Sequence, residues 1–345
     1  MKKISKSNPL KIICAIVGLG RSGQDIHIEL LKKDKQFKIK GVYDKDKTIT
    51  NRLSKKLNCK AYANYKEILL DKEIELVIIA TNSITHFSLA SKALKSYKNI
   101  VLEKPITKTL LEAEELKSIA NSNNVRIFPF FNFRFIDEFI KIKDLLNKNI
   151  IGEIFLIKRN VSYFNRRDDW QSESKFDGGI LNAALIHHLD QILQITEGYP
   201  LEIFGDLRNI VAKGDADDHC KILLKFKNKI LADLEVSWAE KSIENPWTIY
   251  GSRGVIRRNS KNLICEYFLE EEVEKIKRNK LSYKSNEKFK WKKLTYQIPN
   301  NLKGLSPVFY QKLYTSMKSG KNFEVSVDSV IETMRVLNDI FIKTK

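Results

Sequence analysis

Six residues, Gly18-Leu19-Gly20-Arg21-Ser22-Gly23, carry the spacing of a turn that holds a dinucleotide pyrophosphate. In such a turn the first glycine permits a tight bend, the second lets the backbone approach the phosphates, and the third allows a helix to pack close on a strand. The helix that follows points free N–H groups and a favourable dipole at the anion. Three spaced glycines occur by chance in a long chain, so the flanks decide: Ile12–Val17 is a continuous apolar run, and Ser22–Lys33 has apolar residues at helical spacing. Asp44 ends the next apolar run, where a carboxylate can accept hydrogen bonds from the adenosine ribose. Its charge opposes a 2′-phosphate and so favours NAD. Arg21 in the turn and Lys45 beside Asp44 offset that repulsion, which keeps NADP as the second choice.

Two further groups have the chemistry of proton and oxygen handling. Glu103-Lys104-Pro105 follows a short apolar strand, at the carboxyl end where open α/β sheets bind ligands. A lysine there can hold a substrate hydroxyl or carbonyl by a charge-assisted hydrogen bond. Taken alone, a surface lysine before a turn proline is the better explanation of Lys104 in a chain this rich in lysine. His187 lies in His187-His188-Leu189-Asp190, on a helix opened by Gly178-Gly179. An imidazole serves as a general base near neutral pH. Asp190, three residues on, shares its helix face and either orients the ring or makes a structural contact. His188 points about 100° away.

In order along the chain, these pieces resemble the Gfo/Idh/MocA oxidoreductases. The resemblance rests on Gly18 to Gly23 with Asp44, then Ala80-Thr81-Asn82 with His86, then Glu103-Lys104-Pro105. Phe131-Asn132-Phe133-Arg134-Phe135 is similar to the family's Asn-Arg-Arg-Phe segment, and Asp177-Gly178-Gly179-Ile180-Leu181 leads to His187 and Asp190. The resemblance implies catalytic roles for Lys104 and His187. It implies cofactor contacts from Thr81, Asn82, His86, Glu103, Lys104 and Asn132, alongside Gly18, Leu19, Gly20, Arg21, Ser22, Gly23, Asp44 and Lys45. It implies substrate contacts from Lys104, Arg134, Tyr163, Arg167, Asn182 and His187, Arg134 and Arg167 being suited to a phosphate or carboxylate. It further implies a sugar, cyclitol or sugar nucleotide as substrate and a homodimer or homotetramer as assembly. One position departs from the pattern. Many members carry Asp one turn before the histidine, where this chain has Ala183; Asn182 is one position off and faces elsewhere. A non-catalytic dinucleotide-binding sensor or partner subunit therefore stands as the alternative.

The elements that must position these residues follow from periodicity. Strand and helix patterns alternate up to about residue 130: strands at Ile12–Val17, Phe37–Tyr43, Leu76–Thr81, Ile100–Leu102 and Val125–Phe130, and helices at Lys47–Leu57, His86–Ser96 and Leu110–Asn121. Repeated βα units predict a parallel sheet. Beyond lie a helix over Ile136–Lys148 and long strand-like stretches at Ile154–Phe164, Ile203–Val211, Lys221–Phe226, Ile230–Val236 and Thr248–Ile256, with a turn at Lys227-Asn228-Lys229. The helix Ile180–Thr196 interrupts them, and helices at Pro307–Lys318 and Val327–Ile342 close the chain. The expectation is an α/β N-terminal Rossmann domain with a parallel sheet (residues 1–130), followed by an α+β C-terminal domain with a largely antiparallel open sheet (131–345).

Bulk properties narrow the partners. The chain has 345 residues, 43% hydrophobic and 30% charged, with a net charge of +19. The lysines are spread and mixed with Asp and Glu, as in Glu270–Lys293, and no nucleic-acid-binding motif accompanies them, so a solvated surface is the expectation rather than a nucleic-acid partner. Cys14, Cys59, Cys220 and Cys265 have no metal or CxxC spacing, which predicts no metal site, reduced thiols and a cytoplasmic setting. The basic stretch Met1–Lys11 precedes an apolar run too short for a signal peptide, and no run is long enough to span a membrane.

Overall fold

The structure, a computed structural model, describes residues 11–241, 247–259, 261–273, 287–298 and 306–344. The chain divides into two compact units. One comprises the described residues up to Asn132 together with 306–335, the other those from Phe133 to 298 together with 336–344. The segment after 305 is thus divided between the units, where the sequence reading carried a single boundary at 130.

The first unit is built on a six-stranded sheet in the order β3-β2-β1-β4-β5-β6, every pair parallel. Its strands are β1 (Ile12–Val17), β2 (Phe37–Tyr43), β3 (Lys60–Ala61), β4 (Leu76–Ile79), β5 (Asn99–Leu102) and β6 (Ile127–Pro129). Between them run α1 (Glu29–Leu31, preceded by a π-helical turn over Ser22–Ile28), α2 (Lys47–Leu57), α3 (Tyr65–Leu70), α4 (His86–Lys95) and α5 (Leu110–Ser122). The central strands are apolar on both faces because helices cover both: Ile16, Leu76, Ile78, Ile100 and Val101 have no exposure. Burying each such side chain stabilises the fold by about 1.5–3 kcal/mol. Short polar residues start the helices. Asp46 accepts from the Thr48 and Ile49 N–H groups, and Thr109 and Glu112 form a reciprocal capping box. The segment Lys60–Leu70 lacks the periodicity of a long element, and its short strand and helix escape the sequence pattern.

The second unit holds an eight-stranded sheet in the order β14-β13-β12-β11-β7-β10-β9-β8. These are β7 (Ile154–Ser162), β8 (Glu202–Arg208), β9 (His219–Lys225), β10 (Leu231–Ser237), β11 (Trp247–Gly251), β12 (Gly254–Arg258), β13 (Asn262–Tyr267) and β14 (Lys292–Gln297). All pairs are antiparallel except β7 with β10. Strict alternation marks the two faces: Cys220, Ile222 and Leu224 of β9 are buried with Ala232, Leu234 and Val236 of β10, while Lys221 pairs with Asp233 and Glu235 on the other face. The helices α6 (Asp137–Asn147) and α7 (Ile186–Thr196) belong here, and α7 lies against β10. The remaining helices are α8 (Val308–Ser319) and α9 (Val327–Lys343). The expected hairpin turn at Lys227-Asn228-Lys229 is present, with Lys229 at φ 66°. The single strand expected over Thr248–Ile256 is instead a hairpin: β11 and β12 pair around Ser252-Arg253, with Gly251 and Gly254 on either side as the turn signal. The doubly layered α/β unit and the largely antiparallel second sheet agree with the expected fold class. Among the described residues no helix is long and apolar enough to cross a membrane.

Candidate functional site

The dinucleotide turn starts where β1 ends, and its three glycines face three different surroundings. Gly18 sits at φ 90°, and a Cβ there would lie 2.6 Å from the Ala80 backbone. A Cβ on Gly23 would fall 2.1 Å from the Gly18 carbonyl oxygen, so this glycine lets the helix close on the turn. A Cβ on Gly20 would meet nothing within 4 Å. Only the middle glycine opens outward, as close backbone approach by a ligand requires. Asp44 reaches back across the sheet: its Oδ2 accepts from the Leu19 N–H at 2.7 Å and its Oδ1 from the Asp46 N–H at 2.9 Å. Its carboxylate is thereby fixed beside the turn with lone pairs remaining for ribose hydroxyls. Gln24 steadies the same turn by donating to the Leu19 carbonyl at 2.5 Å and accepting from Arg52 at 3.1 Å. Arg21 and Lys45 are exposed, and Ser22 is half-buried at the start of the π-helical turn.

At the end of β4 the Thr81 hydroxyl accepts from Thr85 at 2.7 Å, and the Asn82 carbonyl caps the same short turn. His86, 1% exposed, places Nδ1 at 2.7 Å from the Pro105 carbonyl and Nε2 at 3.1 Å from the Thr81 carbonyl. Burial pushes its pKa down. Glu103 is also buried; one of its oxygens accepts from the Lys104 N–H at 3.2 Å, the other from His27 at 3.2 Å. Burial pushes the Glu103 carboxyl up, but the hydrogen bond from His27, with the charge and backbone N–H of Lys104, outweighs it and holds the group below its usual range. Lys104 itself is half-buried at the carboxyl end of β5. Asn132 is buried where the first unit's chain ends.

In the second unit, His187 is 8% exposed in the first turn of α7. Phe133 lies flat on its imidazole, centroids 4.3 Å apart and planes 14° off parallel, and so sets the ring plane. Phe133 is tied to the same helix, because Gln191 donates to its carbonyl at 2.9 Å. Arg134 donates through Nε and Nη2 to the two oxygens of Asp190 at 2.8 and 2.5 Å, both side chains buried. The guanidinium that the sequence offers as an anion clamp thus holds the Asp190 carboxylate of its own chain. His188 accepts from Arg159 at 3.2 Å. Arg167 pairs with Asp169 and lies over the Trp238 ring, and Tyr163 is 39% exposed. Before α7 the chain makes a wide turn over Leu181–Leu185, in which the Ile186 N–H reaches back five residues to the Leu181 carbonyl. This π-helical turn accommodates one extra residue. The Asn182 amide donates to the Asp177 carboxylate at 3.1 Å.

Sequence reasoning left out His27, Tyr310 and Gln24, and gave Phe133 no role beyond its place in the segment 131–135. A histidine within the apolar face that includes Ile28 and Leu31 is the signal that points to His27. Tyr310 lies far along the chain and gives no such signal.

Residues 12–131 match the oxidoreductase family model with an NAD-binding Rossmann fold, and 139–257 match the GFO/IDH/MocA C-terminal domain. An uncharacterised oxidoreductase of Synechocystis is 27% identical over 72% of this chain and 72% of its own. The myo-inositol 2-dehydrogenase of Thermotoga maritima is 26% identical over 70% of this chain and 73% of its own. GenD2 from gentamicin A biosynthesis, solved in complex with NAD, shares the fold at a TM-score of 0.81 and 18% identity, covering 100% of this chain and 97% of its own. With both family domains matched in order, the chain belongs to the Gfo/Idh/MocA family of NAD-binding oxidoreductases.

Proposed function

We propose that the chain transfers hydride between a nicotinamide dinucleotide and a hydroxyl-bearing carbon of a sugar, cyclitol or sugar nucleotide. The observation that carries this reading is the glycine turn, open only at Gly20, beside the backbone-anchored carboxylate of Asp44. The bound nicotinamide supplies the hydride acceptor or donor. In the oxidative direction His187 takes the hydroxyl proton as the carbon loses hydride and the carbonyl forms. Lys104, by the family resemblance, holds a substrate oxygen by a charge-assisted hydrogen bond, and Phe133 keeps the His187 imidazole in one plane. Asp44 favours NAD over NADP, since its carboxylate repels a 2′-phosphate. The substrate class is supported by the relative named myo-inositol 2-dehydrogenase. The test is a titration with NADH and NADPH by nicotinamide fluorescence, followed by a panel of sugars, cyclitols and sugar nucleotides read by the absorbance of reduced nicotinamide. Tight NADH binding and turnover of one class are expected; no binding of either dinucleotide would defeat the reading.

Ala183 favours a second reading, a dinucleotide-binding sensor or partner subunit without turnover. It predicts NADH affinity equal to that of an enzyme, no conversion across the panel, and no change in any partner's activity on Lys104→Ala.

A further inference from the structure

Two fully buried histidines grip the turn that carries Lys104, one from each side. His27, 0% exposed, reaches the Glu103 carboxylate through Nε2, while its Nδ1 lies 2.7 Å from the Tyr310 hydroxyl. Burial keeps the Tyr310 hydroxyl protonated, so it can donate to Nδ1 and leave the Nε2–H for Glu103. Glu103 in turn accepts the Lys104 backbone N–H. On the other side His86 faces the Pro105 carbonyl at 2.7 Å through Nδ1. A carbonyl only accepts, so the shorter contact assigns the proton of a neutral ring to Nδ1. The charged groups felt by His86 are Glu103 and Lys104 themselves. Neither ring is exposed to solvent, and each ends on an atom of the Glu103-Lys104-Pro105 turn.

We propose that His27 and His86 are positioning residues that fix the Lys104 turn from opposite flanks, each through one defined ring nitrogen. The inference rests on the reading of Lys104 as the lysine that meets substrate, but the clamp itself can be read without turnover. An asparagine amide nitrogen occupies the place of Nδ1, and a glutamine amide nitrogen that of Nε2. The clamp therefore predicts a crossed rescue. His86→Asn keeps the donor to Pro105, and His86→Gln and His86→Phe lose it. His27→Gln keeps the donor to Glu103, and His27→Asn and His27→Phe lose it.

The readouts are hydrogen exchange of the peptide spanning 103–107 in the NADH-bound full chain and, where a substrate has been found, kcat at saturating NADH. Each unrescued variant should raise exchange in that peptide and lower kcat by up to about 100-fold, the scale of an ångström misplacement. Equal exchange for the Asn, Gln and Phe variants at both positions would overturn the clamp, as would rescue by the opposite amide. If the parent binds NADH but turns nothing over, the functional reading fails while the exchange pattern still decides the clamp. Melting temperatures of all variants separate a local loosening from a general loss of stability, and an exchange increase spread evenly over the whole first unit also counts against the clamp.

Discussion

The three glycines of one turn make different demands, and substitution separates them. Gly20→Ala adds a methyl group into open space on the outward side, so the melting temperature should stay at the parent value while NADH affinity falls by about tenfold or more. Gly23→Ala drives a methyl group against the Gly18 carbonyl and should destabilise the protein by about 1–3 kcal/mol, read by urea unfolding. A Gly20 variant that binds NADH like the parent would remove the basis for placing the phosphates there. The buried Arg134–Asp190 pair yields to the same logic. Removing one partner strands a desolvated charge, so Arg134→Met should cost about 3–5 kcal/mol, and Arg134→Met with Asp190→Leu considerably less. A substrate-binding role for Arg134 predicts the reverse: a stable single mutant with a raised KM.

Elements with strong periodicity were legible in the sequence and those shaped by tertiary context were not. The apolar runs of β1, β2 and β4 and the helices α2, α5 and α7 stand close to where their patterns put them, because burial on both faces or on one stripe leaves an imprint in the residues. The Lys60–Leu70 segment left no such imprint, the β11–β12 hairpin is marked only by Gly251 and Gly254 within an otherwise strand-like stretch, and the wide turn at Leu181–Leu185 depends on backbone hydrogen bonding that residue types do not encode. Of the site, the glycine turn and Asp44 were legible because their chemistry is local; the His27–Tyr310 contact joins residues 283 apart and was not. One element-scale contact carries a pH prediction. Asp71, at the end of α3, accepts from Lys40 on β2 at 2.8 Å, from the Tyr62 hydroxyl at 2.7 Å and from the Glu73 N–H at 3.0 Å. Burial pushes its carboxyl up, but these bonds outweigh it and hold the pKa at about 2. A depressed carboxylate stabilises the native state above its unfolded pKa and loses that contribution as pH falls toward the folded value. The parent should therefore exceed Asp71→Asn in stability by about 1–2 kcal/mol at neutral pH, and the gap should close between about pH 4 and pH 2. A gap that persists at the acid end would mean that the asparagine disturbs packing rather than an ion pair.

At the scale of the whole molecule the dominant feature is a net charge of +19. Many individual lysines are paired on the surface, as where Lys225 lies 2.7 Å from Glu202, Lys292 2.6 Å from Glu272 and Lys213 2.6 Å from Asp168. Exposed pairs of this kind contribute little to stability. The surplus instead creates a long-range field, and a dinucleotide is an anion approaching through it. Raising ionic strength from about 0.01 M to 0.15 M shortens the screening length from about 30 Å to about 8 Å. Over that range the NADH association rate in stopped-flow fluorescence should fall several-fold. The dissociation rate should hardly change, because it reports the short contacts at the turn and at Asp44. NADPH, with its extra charge, should show the steeper dependence. If both rates are insensitive to salt, the lysines form a solvated coat with no part in binding. If dissociation accelerates as well, exposed cations such as Arg21 or Lys45 touch the bound phosphates directly, and Arg21→Ala and Lys45→Ala identify which.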